Sequence, residues 1–131
     1  MKILQDVVKK MQIKDHGRYL VLGLPEELAG LTDALPGTVK TEPNGESDCI
    51  IVFAKDPDTA KQRVDDSIPT LKQDGLFWFC YPKKSSRKYS CEINRDNTHE
   101  YFDPHGFKAV RQISLNEDWS ALRFRDKELV K

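Results

Sequence analysis

Three short segments, each apolar along almost its whole length, constrain the fold of this chain more than any other feature. They are Arg18 to Leu24, Cys49 to Ala54 and Leu76 to Tyr81. Unbroken runs of β-branched and aromatic residues are typical of parallel strands covered on both faces, whereas a strand with one face in water alternates. Helical patterns separate the three segments. The order strand, helix, strand, helix, strand therefore predicts a βαβαβ arrangement with right-handed crossovers.

Proline and acidic residues mark where the two intervening helices begin. Pro25 follows the first strand directly and precedes Glu26 and Glu27, which favours helix initiation through a fixed φ and the helix dipole. Asp56 and Pro57 follow the second strand and predict an N-cap and a first helical position. The apolar residues that we expect these helices to bury are Leu28, Leu31, Leu35, Ala60, Val64, Ile68 and Leu71.

The two ends of the chain complete the predicted fold. Ile3 to Met11 has the apolar spacing of an amphipathic helix, while Phe107 to Leu115 and Trp119 to Arg125 predict an antiparallel hairpin. The predicted class is α/β, with three αβα layers around a mixed, mostly parallel sheet of about five strands. We expect residues 1–131 to form a single domain, in which the turn-rich segment 36–47 is an exposed connection or a short hairpin.

Charge balance and cysteine content exclude several classes of partner. Lysine plus arginine and aspartate plus glutamate both total 21, so the zero net charge does not attract nucleic acid or an anionic membrane. The three cysteines, an odd number beside apolar segments, suit reduced and buried thiols. No apolar run approaches the ~20 residues of a membrane-spanning helix, and no spacing of histidines matches a standard metal motif. We expect a soluble, cytoplasmic protein without a metal or a cofactor.

An abrupt change from apolar to basic residues follows the third strand. The residues of this run that could hold a phosphate or a carboxylate are Tyr81, Lys83, Lys84, Ser85, Ser86 and Arg87. Because the carboxyl ends of parallel strands open into a crevice, Glu26 and Asp56 at the other two strand ends join the candidate site. The alternative, which is the commoner case, is a solvated loop whose lysines only keep it soluble.

A second candidate surface lies on the last strand. Trp119, Arg123 and Arg125 share one face if the strand is regular, since side chains two apart point together. A guanidinium over the indole would suit a nucleotide base or a partner peptide. The alternative, which the usual burial of tryptophan favours, places Trp119 in the core and leaves Arg123 paired or at the edge of the sheet.

Two segments resemble a family of short bacterial proteins catalogued as a domain of unknown function. They are Tyr81-Pro82-Lys83-Lys84-Ser85-Ser86 and Asp118-Trp119-Ser120-Ala121-Leu122-Arg123-Phe124-Arg125. The likeness extends over most of the chain from Arg18 onward. The resemblance implies a shared fold, and it implies no particular chemistry because the family has no established activity.

The order of elements resembles, more distantly, the carboxyl-terminal half of a class I methyltransferase. In that family a glycine-rich turn after the first strand and an acidic residue at the end of the second strand hold the adenosyl cofactor. Here the turn is Gly23-Leu24-Pro25-Glu26-Glu27, with one glycine and two negative charges, and few residues separate Leu35 from Asp48. The resemblance therefore implies a truncated, Rossmann-like relative that binds no cofactor.

These features predict a small binding or regulatory module that performs no catalysis and holds an anionic ligand at the strand ends. Two alternatives stay open. One is a small enzyme acting on an anionic or nucleotide-like substrate in the same crevice, for which Asp56, Glu26 and Tyr81 are the candidate acids, bases or nucleophiles. The other is a subunit that binds another protein through Trp119 and its neighbours.

Overall fold

A mixed β-sheet organises the fold. The structure is a computed structural model that describes residues 9–11, 17–35, 37–43, 45–90, 92–94 and 96–130. Within these residues six strands form one sheet in the order β2-β1-β3-β4-β6-β5. The strands are β1 (Arg18–Leu22), β2 (Thr38–Lys40), β3 (Ser47–Phe53), β4 (Leu71–Pro82), β5 (Phe107–Ser114) and β6 (Trp119–Asp126).

The directions of the strands are those that the sequence predicts. β1 pairs in parallel with β2 and with β3, and β3 pairs in parallel with β4. β6 runs antiparallel to β4 on one side and to β5 on the other. The predicted α/β class, with a mostly parallel sheet that ends in an antiparallel hairpin, is confirmed.

Short helices connect the strands. They are α1 (Leu31–Ala34), α2 (Pro57–Ser67) and α3 (His99–Phe102). Asp56 caps α2 and Pro57 occupies its first turn, as predicted. None of the helices within the described ranges is long and apolar enough to cross a membrane.

The central strands are buried on both faces, as the unbroken apolar runs predict. Along β3, Ile51 and Phe53 belong to one buried cluster while Ile50 and Val52 belong to the other. Met11 is fully buried in the first cluster. The other apolar positions of the predicted first helix, from Ile3 to Val8, lie outside the described residues.

Strand β2 lies inside the segment predicted as an exposed connection or a short hairpin. Thr38, Val39 and Lys40 pair in parallel with the first three residues of β1, and this edge strand raises the sheet from five strands to six. Thr38 is exposed, and the other two residues are half-buried. The sequence does not predict β2, because so short an edge strand is held by backbone hydrogen bonds and contributes almost no residue to the core.

Three predicted boundaries are wrong. Leu71, predicted in the buried stripe of the helix after Asp56, is the half-buried first residue of β4, because α2 ends at Ser67. The helix predicted after Pro25 is a 3-10 turn at Glu26–Leu28 followed by the separate four-residue helix α1. The turn predicted at Asp74-Gly75 lies inside β4, where the pairing with β3 shifts: Ser47 pairs with Leu71, whereas Cys49 pairs with Leu76. Asp74 adopts a φ of 55°, so the chain bulges here without leaving the strand.

Candidate functional site

Two features lie at the edge of the sheet where the parallel strands end. One is a cleft beside the end of β4. The other is a cluster of polar and aromatic side chains near the ends of β1 and β3. The chain passes from β1 to β2 on one side and then to β3 on the other, so the strand order reverses between β1 and β3. Open α/β sheets bind ligands at such a reversal.

The cleft beside β4 has a volume of about 750 Å³ and a mixed polar and apolar lining. It lies between the loop that follows β4 and the β5–β6 hairpin. Four of the predicted site residues line it, namely Tyr81, Lys83, Lys84 and Ser85. The other lining residues are Ile93, Asn94, Asp96, Gln112, Ile113, Ser114 and Ser120.

Hydrogen bonds hold the polar side chains of this cleft in place. The Gln112 amide donates from Nε2 to the Tyr81 hydroxyl over 3.3 Å and to Ser120 Oγ over 3.0 Å. Lys83 Nζ donates to Ser114 Oγ over 2.5 Å, and the Lys83 backbone N–H donates to the Asp118 carbonyl over 2.8 Å. The loop after β4 is therefore fastened to the hairpin, and Tyr81 and Lys83 are fixed relative to each other.

Ser86 and Arg87 belong to the same loop but do not line the cleft. Ser86 Oγ donates to Asp118 Oδ1 over 2.8 Å and accepts the backbone N–H groups of Lys88 and Tyr89. Arg87 is exposed. Ser86 therefore shapes the loop, and the structure does not bring Arg87 together with the two lysines of the cleft.

Glu26 and Asp56 also lie away from the cleft. Both carboxylate oxygens of Asp56 accept hydrogen bonds from Thr59, one from the backbone N–H and one from the hydroxyl, each over 2.9 Å. These bonds, the backbone one above all, lower the pKa of Asp56. Glu26 is exposed in the 3-10 turn after β1. The carboxylate of Asp56 thus caps α2 and does not face the cleft.

Trp119 and Arg123 do not form the exposed surface that a partner-binding role requires. Trp119 is 1% exposed, and its indole packs edge-on against Phe53 at 5.4 Å between ring centroids. Arg123 is half-buried opposite Trp78 on β4. The structure contains the alternative in which Trp119 belongs to the core, because β6 is an inner strand and the indole packs into the same buried cluster as Phe53.

A cluster that the sequence analysis missed lies at the reversal of strand order. It consists of Glu27, Lys88, Tyr89 and Trp119, and we call it the Glu27 cluster. The Glu27 carboxylate accepts hydrogen bonds from the Tyr89 hydroxyl and from Trp119 Nε1, the second over 3.4 Å, and forms an ion pair with Lys88 Nζ at 3.1 Å. The Tyr89 ring packs on Trp119 at 5.3 Å, and Lys55 Nζ lies 5.3 Å from the Tyr89 centroid.

Electrostatics favour the charged state of Glu27. Burial opposes ionisation, but the hydrogen bonds from Tyr89, from the backbone, from Lys88 and from Trp119 outweigh it and lower the pKa to about 2. The hydrogen bond to Glu27 raises the pKa of Lys88, and burial together with Glu27 raises the pKa of Tyr89. The one available signal in the sequence is the opposite charge of Glu27, after β1, and Lys88, after β4.

The turn after β1 leaves no space for added atoms. Gly23 has a φ of +73°, and a Cβ at this position would lie 2.8 Å from the Phe53 carbonyl oxygen and would collide with the Arg63 guanidinium. Arg63 Nη1 donates to that same carbonyl oxygen. Arg63 of α2 therefore blocks the direction in which a side chain at Gly23 would project, although Gly23 itself is exposed. The described residues contain no group of three or more His, Cys, Asp or Glu side chains placed to hold a metal ion.

Several solved structures of methyltransferases have the same fold as this chain. A SAM-dependent methyltransferase from Aquifex aeolicus matches with a TM-score of 0.65 at 10% identity, covering 94% of this chain and 89% of that one. The chain has the class I methyltransferase fold. A S-adenosylmethionine-dependent methyltransferase from Clostridium acetobutylicum ATCC 824 matches with a TM-score of 0.58 at 10% identity, covering 95% and 89%.

A third match is the ribosomal protein L11 methylase from Lactobacillus delbrueckii subsp. bulgaricus, with a TM-score of 0.58 at 9% identity over 94% of this chain and 76% of that chain. No protein-family model and no curated protein matches the sequence. The resemblance to the family of short bacterial proteins therefore stays a prediction. At these sequence identities the solved structures establish the fold of this chain, and any chemistry must be argued from the residues of this chain.

The residues of this chain do not fit the adenosyl cofactor. The turn after β1 contains one glycine, Gly23, whose surroundings are filled by Arg63 and Phe53. β2 ends at Lys40, a cation where the cofactor's ribose requires an acidic acceptor. The Glu27 cluster occupies the reversal of strand order with two aromatic rings.

Proposed function

We propose that this protein is a non-catalytic binding or regulatory module that holds a small anion, or the anionic group of a larger ligand, in the cleft beside β4. The observation that carries the proposal is the convergence of Lys83 and Lys84 with hydroxyl and amide donors on an open space of about 750 Å³. The lining contains two lysines and one aspartate, so its charge is positive. Cations with fixed neutral donors favour phosphate or carboxylate.

The other strand ends support a binding role over the chemistry of the solved relatives. The Glu27 cluster ties the end of β1 to the loop after β4 and to β6, whereas the cleft beside β4 has an open volume of about 750 Å³. Tyr81 and Lys83 are held in fixed positions by Gln112 and Ser114, so they lose little side-chain freedom when a ligand binds. A preorganised donor set of this kind suits recognition of an anion.

A thermal-shift measurement with inorganic phosphate, pyrophosphate and adenosine monophosphate tests the proposal. A ligand at a hundred times its dissociation constant stabilises the folded protein by about 2.7 kcal/mol, which is a readily measured shift. We expect Lys84→Ala to weaken the response to the anion that binds and Lys83→Ala/Lys84→Ala to abolish it. Arg87→Ala removes an exposed cation of the same loop that does not line the cleft, and it should leave the response unchanged.

Two results would contradict the proposal. One is the absence of a shift with all three anions at millimolar concentration. The other is an equal loss of response in Arg87→Ala and Lys84→Ala, which would mean that the loop attracts anions without a defined site. S-adenosylmethionine serves as a further probe, for which we expect no shift because the turn at Gly23 and the Glu27 cluster occupy the crevice.

The second candidate function is a small enzyme that acts on an anionic substrate in the same cleft. The observation in its favour is Tyr81, whose hydroxyl lines the cleft and accepts a hydrogen bond from Gln112 over 3.3 Å. A positioned phenol can act as a general acid. Tyr81→Phe separates the two functions, since it should keep anion binding with a small change in affinity while it would abolish turnover by an enzyme that uses this hydroxyl.

A further inference from the structure

Part of the lining of the cleft beside β4 is a polar row that crosses three strands. Tyr81 of β4 pairs directly with Ser120 of β6, and Ser120 pairs with Ser114 of β5. Directly paired residues of antiparallel strands point to the same face, so these three side chains lie side by side. Gln112 lies two positions before Ser114 and therefore shares that face. A ligand in the cleft meets this row as well as the lysines of the loop.

The hydroxyl and amide hydrogens of the hairpin part of this row are already in use. Ser120 Oγ donates to the Ile113 carbonyl over 3.3 Å, and Ser114 Oγ donates to the Asn116 carbonyl over 3.1 Å. A carbonyl oxygen only accepts, so each hydroxyl has given its single proton. The Gln112 nitrogen must then be the donor to Ser120, which turns the amide oxygen Oε1 away from that serine. These three side chains therefore offer a ligand acceptor atoms.

A carboxylate from the segment before α3 adds to the acceptors. Asp96 lines the cleft, and its exposed carboxylate makes no hydrogen bond or ion pair within the described ranges. The cationic donors lie on the loop after β4. Lys84 is exposed and likewise unpaired within those ranges, and Lys83 gives one N–H to Ser114 and keeps the others. The cleft thus combines cationic donors on the loop with acceptors on the hairpin and at Asp96.

A ligand that matches both sets of groups carries an anionic group together with hydrogen-bond donors. The volume of about 750 Å³ lies within the range of pockets that hold whole organic molecules, about 300–1,000 Å³. Acceptors that a bound ligand covers without donating to them oppose its binding. Neutral acceptors spread over two strands suit several hydroxyl groups, whereas a single ammonium group would satisfy one acceptor and would be repelled by the two lysines.

The cleft is less suited to a nucleobase or another aromatic body. Tyr81 is the one aromatic residue among the described residues that line it, and only 4% of Tyr81 is exposed. Its ring also stacks on Phe79, at 6.0 Å between centroids. Proteins commonly hold unpaired bases by stacking them on an open aromatic ring. The apolar part of the lining, Ile93 and Ile113, is aliphatic and suits the C–H groups of a sugar.

We propose that the ligand of this cleft is a phosphorylated sugar or polyol. Its phosphate binds Lys83 and Lys84, and its hydroxyl groups donate to Gln112, Ser114 and Asp96. This inference rests on the proposed anion-binding function and adds the class of molecule that carries the anion. The lysines then set the affinity for any phosphate, while the acceptors distinguish one organic phosphate from another.

Isothermal titration calorimetry with ribose 5-phosphate, pentyl phosphate and inorganic phosphate tests the inference. Pentyl phosphate has the same number of carbon atoms as ribose 5-phosphate and no free hydroxyl group. We expect ribose 5-phosphate to bind at least about tenfold more tightly, since a site built to bond a hydroxyl group rejects an analogue without it. Asp96→Ala should reduce this ratio of affinities by at least about threefold, because one acceptor is lost. Asp96 is exposed, so the variant should keep the fold.

Glu92→Ala is the matched control, because it removes an exposed carboxylate of the same segment that is not part of the cleft lining. The change in net charge is the same, and the ratio of affinities should stay that of the unaltered protein. Equal affinities of the unaltered protein for ribose 5-phosphate and pentyl phosphate would overturn the inference. An equal fall of the ratio in the two variants would do the same.

Two further ligands distinguish other classes of molecule. Binding of adenosine monophosphate at least about tenfold tighter than ribose 5-phosphate would overturn the inference in favour of a nucleotide. Tighter binding of phosphoserine than of ribose 5-phosphate would overturn it in favour of a ligand with an ammonium group. Inorganic phosphate separates this inference from the proposed function. If inorganic phosphate binds and the hydroxyl groups give no advantage, the anion site stands and the ligand class is wrong, whereas no binding of any phosphate contradicts the anion site itself.

Discussion

The Glu27 carboxylate accepts a hydrogen bond from the Trp119 indole over 3.4 Å, although 92 positions separate the two residues in the chain. Glu27 lies just after β1, and Trp119 begins β6. Phe53 at the end of β3 packs against the same indole. Residues from the beginning, middle and end of the chain thus meet at the reversal of strand order, where open α/β sheets bind ligands. Removing the charge of Glu27 should loosen this arrangement.

We predict that Glu27→Gln lowers the free energy of unfolding at pH 7 by about 1.5–3 kcal/mol, the usual contribution of hydrogen bonds to a charged group. The pKa of Glu27 is about 2 in the folded protein against an ordinary value of 4.5. A carboxylate whose pKa is lowered on folding stabilises the folded protein fully above about pH 4.5, and this stabilisation is lost progressively as the pH falls toward 2. Urea unfolding at pH 7, 4.5 and 3 should therefore show a shallower acid decline in Glu27→Gln.

Glu26→Gln provides the control for this change, since Glu26 is the exposed neighbour in the same 3-10 turn. At pH 7 its unfolding curve should match that of the unaltered protein, because Glu26 is exposed. Tyr89→Phe removes the hydroxyl that donates to Glu27, and a double-mutant cycle with Glu27→Gln should give a coupling energy of about 0.5–3 kcal/mol. Additive effects of the two substitutions would mean that the contact contributes nothing to stability.

We predict that Gly23→Ala destabilises the protein by about 3 kcal/mol or more. The added Cβ would adopt a left-handed φ and meet the Phe53 carbonyl oxygen at 2.8 Å, where backbone cannot yield cheaply. Gly106→Ala is the matched variant, because Gly106 has a φ of +75° with nothing within 4 Å of the added Cβ. Gly106→Ala should lower the free energy of unfolding by only about 1 kcal/mol, the cost of placing alanine where the backbone conformation favours glycine. Thermal unfolding of both proteins measures the difference, and equal losses would mean that space around Gly23 is not limiting.

Much of the fold could be predicted because its central strands are defined by what they bury. Ile50, Ile51 and Val52 leave no polar face, so β3 could only be an inner strand. β2 could not be predicted in the same way, since Thr38 to Lys40 bury little and owe their conformation to the backbone of β1. The extension of β4 through Asp74 also depends on a distant partner, Arg125, which no local pattern of residues could supply.

The candidate site could likewise be predicted only in part, where a local pattern of residues defines it. The end of an inner strand followed by basic residues is a local signal, and it located Tyr81, Lys83, Lys84 and Ser85 beside one cleft. Whether Asp56 faces a ligand or caps a helix depends on side-chain rotation, which Thr59 decides. The Glu27 cluster joins three separate segments of the chain, and periodicity along the sequence carries no information about such contacts.

We predict a structural role for Asp56 and none in ligand binding. Asp56→Ala should lower the Tm, because α2 loses the side chain that caps its first turn. Asp56→Asn keeps an oxygen that can accept the Thr59 N–H, so it should restore most of the stability. The response to phosphate should be the same in all three proteins. A selective loss of anion binding in Asp56→Asn would return this residue to the ligand site.

The last prediction concerns the two cysteines of the inner strands. Cys49 and Cys80 are buried and free, and burial raises the pKa of Cys49 to about 12 and that of Cys80 well above its usual value. A thiol reacts as the thiolate. In the variant Cys91→Ser only Cys49 and Cys80 remain, and in the folded protein they should react with Ellman's reagent at pH 8 at least about a thousandfold more slowly than in the same variant unfolded in guanidinium chloride. Fast reaction of a native thiol in this variant would mean that β3 and β4 open readily. Cys91 itself lies outside the described residues. Its reactivity is measured as the difference between the reaction of the unaltered protein and that of Cys91→Ser with Ellman's reagent under the same conditions.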